Sequence, residues 1–218
     1  MSNPRFVYIM RSFMRHFFQL LYHPFAFTYD LVAWVVSFGK WNNWVLSIFP
    51  FIEGTRILEV GHGPGHLQRF LRDRGLAPAA IDESSQMGRL ASLRLGTNHK
   101  LARALAQSLP YATDSFDTVV STFPSEYIFD PRTLAEIRRV LTNDGKLVVL
   151  PATFPSNSFL KWLYKVTGES PQAIDSLLVQ RFAKPFEQAG FNTEVRIQDQ
   201  QKGAVLIVIL AKKETRSF

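Results

Sequence analysis

From Gly54 onward, short apolar strands alternate with helical segments, which predicts an α/β domain: a mainly parallel sheet with helices on both faces. Two further observations support this. The strand Arg56–Val60 runs straight into the glycine-rich turn Gly61-His62-Gly63-Pro64-Gly65. The chain also ends in two strands joined by a short link, a pair that must be antiparallel.

The first 51 residues are built differently, holding fifteen of the twenty-nine aromatic residues. From Arg5 to His23, Ser12, Arg15, His16, Gln19 and His23 recur at intervals of three or four, a narrow polar stripe on a mostly apolar helix. His23-Pro24 ends that helix. Further helices are expected over Phe25–Phe38 and, after Gly39, over Trp41–Phe49. Residues 1–51 are therefore read as an aromatic-rich helical segment, a lid or interfacial element, and 52–218 as the main domain.

Within the main domain Arg56–Val60 is a buried strand, Gly65–Arg74 a helix closed by Gly75, and Ala79–Asp82 a second strand. A helix from Ser84 or Ser85 to Leu95 and a strand over Leu101–Leu105 follow. Then come the strand Phe116–Ser121, the helix Pro131–Leu141, the turn Asn143-Asp144-Gly145 and the strand Lys146–Leu150. A helical region over Ser158–Ala189, broken near Gly168 and Pro171, leads to the closing strands Thr193–Gln198 and Ala204–Ala211.

Composition narrows the chemistry. The chain has no cysteine, so disulfides, thiolate zinc sites and cysteine nucleophiles are excluded, and a cytoplasmic location fits. The net charge of +7 suits an acidic partner or a solubilising basic surface. No cleavable signal is evident, and the uncharged runs fall short of the about 20 apolar residues that span a bilayer.

The run Ile57–Leu67 carries the chemistry. Its glycines let a ligand approach the backbone beyond the carboxyl end of a strand. A dinucleotide would want G-x-G-x-x-G; here His66 takes the last glycine position and Pro64 offers no amide hydrogen. Glu59 would repel phosphates and favour a cationic amino or sulfonium group, and S-adenosylmethionine (SAM) carries both; a buried, hydrogen-bonded structural acid is the alternative for Glu59. Asp82, ending the second strand, is placed to accept from ribose hydroxyls.

Together with Asp82, Ser108-Leu109-Pro110-Tyr111, Ser115–Val120 and Arg138–Gly145, this run resembles the successive motifs of class I SAM methyltransferases. The nearest likeness is to the branch of ubiquinone/menaquinone-biosynthesis and phospholipid N-methyltransferases, over roughly residues 52–211. The resemblance implies a Rossmann-like seven-stranded sheet of order 3-2-1-4-5-7-6 with an antiparallel terminal hairpin. It also implies SAM as cofactor, with Gly61, Gly63 and Gly65 against its methionine and ribose parts, Glu59 at its amino end and Asp82 at its ribose. His62 and Ser121 would line the same site, and Tyr29, in a Tyr-Asp pair resembling one in relatives, would lie near the cofactor. The family's acidic adenine contact is replaced by Leu105, before Ala106, so backbone there or Gln107 must serve.

His62 and His66 lack the further ligands of a metal site, and none is expected. Glu126 and Tyr127, in the segment after the fourth strand, are the candidate catalytic side chains; capping the loop is an equal alternative. The expected activity is methyl transfer to a small, lipophilic acceptor, quinone- or lipid-like. The basic, aromatic N-terminal helix suggests peripheral membrane contact. A water-soluble acceptor, or SAM binding without catalysis, stays open as an alternative. Nucleic acid is disfavoured because the basic residues are dispersed, and the sequence leaves the oligomeric state open.

Overall fold

The computed structural model describes residues 41–155, 171–200 and 204–214. The helices expected over Arg5–His23 and Phe25–Phe38, and Tyr29 with them, lie outside the described residues.

The first described element is helix α1, Trp41–Leu46, followed by a 3-10 turn at Phe49–Phe51. Pro50 shapes that turn, so α1 stops earlier than the expected Phe49. Val45, Ile48 and Phe51 are buried, and Phe49 meets Phe70 edge to face at 5.2 Å.

Alternation then proceeds as read: β1 (Ile57–Val60), α2 (His66–Arg72), β2 (Ala79–Asp82), α3 (Ser85–Leu95), β3 (Lys100–Arg103) and β4 (Phe116–Thr122). A 3-10 helix at Glu126–Phe129 leads into α4 (Pro131–Val140), β5 (Leu141–Pro155), α5 (Pro171–Gln188), β6 (Phe191–Gln200) and β7 (Ala204–Lys213). The strands form one sheet of order β3-β2-β1-β4-β5-β7-β6. β1 to β5 run parallel, while β7 is antiparallel to both β5 and β6, the expected hairpin.

Local chemistry sets the boundaries. Ser84 caps α3 by accepting from Met87 N, and Asp130 caps α4 by accepting from Arg132 N, with Pro131 at the first helical position. β5 differs from expectation at its start. It begins at Leu141 rather than Lys146, because Phe116 pairs with Leu141 and Thr118 with Lys146. The Asn143-Asp144-Gly145 turn is thus absorbed as a bulge inside the strand.

β1 is buried along its whole length, as a parallel strand covered on both sides must be. Leu58, Val60, Ile81, Val119, Leu147 and Val149 form one core with Leu134 and Ile137 of α4 and Phe186 of α5. Each such fully buried side chain contributes about 1.5–3 kcal/mol of transfer free energy. The opposite face carries Glu59 against Gln68 of α2.

Candidate functional site

The site gathers at the carboxyl ends of β1, β2 and β4. After Val60 the chain bends over β2, with Gly61 N and His62 N both donating to Ile81 O, at 2.9 and 3.1 Å. Gly61 has φ +76°, and a β-carbon there would land on the Tyr127 hydroxyl. Gly65, at φ +83°, is the N-cap of α2 and lies against Ala91 of α3. These two positions need glycine for conformation and space together.

Gly63 is different. Its φ is +51°, and a β-carbon there would meet nothing within 4 Å. Its amide donates to Asp82 Oδ2 at 2.9 Å, while Asp82 Oδ1 accepts from Ser84 N at 2.8 Å. One carboxylate therefore ties the glycine loop to the turn that starts α3. The result is an open cradle with its backbone fixed and an acidic group at its rim.

A groove of about 620 Å³ extends from this rim between α3 and β3, lined by His62, Asp82, Ser84, Arg89, His99 and Arg103 among others. His62 is buried, and its Nδ1 donates to Gly63 O at 2.6 Å. Burial lowers its pKa, opposed by the nearby Asp82, so the ring is neutral with Nδ1 protonated. His99, which the sequence reading passed over, places a buried Nδ1 without a hydrogen-bond partner here.

Glu59 is not exposed to the loop. It is 1% exposed, and Oε2 accepts from Gln68 Nε2 at 2.8 Å. Burial pushes its carboxyl up to about 8, against the Gln68 hydrogen bond and with help from Asp82, so it holds a proton at neutral pH. Gln68 was legible only as a polar residue beside Leu67 and Leu71 on the buried stripe of α2.

Leu105 is half exposed after β3 and Ala106 is buried. Gln107, the expected substitute for the missing acid, instead reaches Asp130 Oδ2 at 3.2 Å. Ser121 is fully buried at the end of β4, its Oγ donating to Val60 O at 2.8 Å. Tyr127 joins it: Oη lies 2.9 Å from Ser121 Oγ and 3.0 Å from Val60 O. Glu126, one residue earlier, is exposed. The two candidate catalytic residues therefore part company, since Tyr127 reaches the glycine loop and Glu126 stays on the surface. Among the described residues no group of three His, Asp or Glu side chains is arranged to hold a metal.

Comparisons with known proteins fit this geometry. Residues 58–149 match the model of a methyltransferase domain family. The ubiquinone/menaquinone biosynthesis C-methyltransferase UbiE of Geotalea uraniireducens is 30% identical over 160 residues, 67% of this chain and 67% of that protein. The chain belongs to the class I SAM-dependent methyltransferases. It stands near their ubiquinone/menaquinone-biosynthesis branch: the demethylmenaquinone methyltransferase of Thermotoga maritima is 31% identical over 142 residues, 62% of each chain. The fold agrees with that of a SAM-dependent methyltransferase, possible histamine N-methyltransferase, from Thermotoga maritima, at TM-score 0.58 and 18% identity. That match covers 89% of this chain and 100% of the other.

SAM is the methyl donor of class I methyltransferases, and the site fits it. The open side of Gly63 leaves room for a ligand against the backbone, and Asp82 lies beside that space.

Proposed function

We propose that this methyltransferase moves a methyl group from SAM to a small, lipophilic acceptor, quinone- or lipid-like. The observation that carries the donor half is the cradle at Gly63, held by Asp82 through Gly63 N and Ser84 N. Gly61, Gly63 and Gly65 would face the methionine and ribose parts of the donor, with His62 lining the site. Asp82, whose oxygens keep unused lone pairs, would accept from the ribose hydroxyls. Leu105 and Ala106 would face the adenine, Leu105 with its exposed apolar surface. Glu59 would influence the amino end only from behind the loop.

Bound SAM supplies an electrophilic methyl group on a positively charged sulfur. The chain's task is then to hold donor and acceptor in line and to exclude water, an effect of about 7–11 kcal/mol on the barrier. The described residues around the cradle present no side chain placed as a dedicated base, so positioning dominates. The acceptor half rests on the relatives' quinone-directed names and on the basic, aromatic N-terminal segment, which suits peripheral membrane contact. Among the described residues no helix is long and apolar enough to cross a membrane.

Methyl-labelled SAM, incubated with the protein and with separate aqueous and organic extracts of host cells, tests this reading. Label is expected in an organic-soluble product and lost with Asp82→Ala. Label confined to the aqueous extract would move the acceptor to a water-soluble molecule. SAM binding without label in either extract would favour a non-catalytic SAM-binding protein.

A further inference from the structure

The groove between α3 and β3 has so far entered only through its upper rim, where His62 and Asp82 meet the glycine loop. Strand register shows how far it continues. Asp82 pairs with Arg103 at the carboxyl end of β3, and β3 then runs back roughly 10 Å to Lys100, with His99 just beyond. Along the other wall, α3 descends from Ser85 through Arg89 to Leu93. The groove's volume of about 620 Å³ falls inside the range of small-molecule sites, about 300–1,000 Å³.

Its lining holds a surplus of N–H groups and positive charge. Arg89 is exposed and makes no hydrogen bond or ion pair among the described residues. Arg103 donates from Nε to Glu83 O at 2.8 Å, a bond that steadies the guanidinium and leaves both terminal nitrogens without a protein acceptor. Against these cations the lining sets one carboxylate, Asp82, whose two oxygens already accept backbone amides. Guanidinium groups with N–H groups to spare recognise carboxylate and phosphate oxygens, and two of them match the charge of a dianion. Further along, Leu93, 82% exposed, and Leu101 present apolar surface. At the lower end His99 Nδ1 is buried without a hydrogen-bond partner. Buried polar atoms are rarely left so, and an occupant able to bond this nitrogen offsets the cost of burying it.

We propose that the α3–β3 groove is a second binding site of this chain, for a small phosphate monoester. The dianionic head lies between Arg89 and Arg103, the apolar body runs along Leu93 and Leu101, and a polar group at the far end bonds His99. The site is additional to the cradle at Gly63 and does not depend on what that cradle holds.

Calorimetric titration of the full chain with 4-nitrophenyl phosphate, with and without saturating SAM, tests this. One site per chain is expected in both conditions, with inorganic phosphate at least about ten-fold weaker because it has no body to bury. Arg89→Met keeps the aliphatic stem and removes the charge. It is expected to weaken the probe at least about ten-fold, the size of a charged hydrogen bond, while SAM affinity stays within about two-fold and melting temperature is unchanged. His99→Phe should weaken 4-nitrophenyl phosphate but leave phenyl phosphate, which lacks the far-end group, within about two-fold. No binding of the probe would overturn the proposal. Binding that Arg89→Met leaves unchanged, or that inorganic phosphate matches, would overturn it by showing an adventitious ion only. Displacement of the probe by SAM, or loss of SAM affinity in Arg89→Met, would overturn it by assigning the groove to the methyl donor.

Discussion

At the scale of single residues, Glu59 and Asp82 differ in where the structure leaves their carboxyl groups. The sequence puts a negative charge at the loop on Glu59; the structure buries that side chain between β1 and α2 with a proton on it and leaves Asp82 at the rim. Pattern alone could not show this, because a strand's alternation does not say which face a helix will cover. The consequence is a pH dependence of stability. Glu59 holds its proton in the folded protein up to about 8, whereas the unfolded chain releases it near the ordinary carboxyl value of 4.5. The folded state thus binds more protons in that window, and the stability contributed below pH 4.5 is lost as pH rises through about 8. Glu59→Gln should therefore gain melting temperature over the unaltered protein as pH is raised from 5 to 8.5. A difference between the two that stays constant with pH would contradict the assignment.

Among the elements, the segments that carried the family resemblance turn out to be tied to one another. Arg139 of α4 donates to Tyr111 O at 2.8 Å and Leu109 O at 3.1 Å, and pairs with Glu136. Glu136 in turn accepts from Leu109 N at 2.8 Å. The Ser108–Tyr111 loop is therefore clamped to α4 by a guanidinium fork and a carboxylate, which also lowers the Glu136 pKa through its Arg139 bond. Removing the fork takes the Arg139 donor from Tyr111 O and leaves Leu109 O with Tyr111 N alone. Arg139→Ala should cost about 1–3 kcal/mol in urea unfolding, and Arg139→Lys should recover less than half, because an ammonium cannot span both carbonyls. A loss below about 0.5 kcal/mol would show that the loop holds without the clamp. Periodicity and turn residues located nearly every strand and helix of the main domain. They missed the start of β5, where the Asn143-Asp144-Gly145 turn signal is real but is accommodated as a bulge. They could not foresee that Gln107 is drawn to Asp130, since that contact joins segments more than twenty residues apart.

For the molecule as a whole, the seven-stranded order and the closing hairpin agree with what the motif series implied. The glycine loop, Asp82 and the segment after β4 were legible because their chemistry is local to strand ends. Tyr127, Ser121 and Val60 were not legible as a cluster, because only the pairing of β1 with β4 brings them together. The central claim is that the Gly63 cradle holds SAM, and direct titration of SAM into the full chain tests it, with Gly63→Leu as the comparison. One site per chain is expected, lost in the variant while melting temperature shows that the fold remains. SAM binding of equal strength in both proteins, or no binding by the unaltered chain, would contradict it.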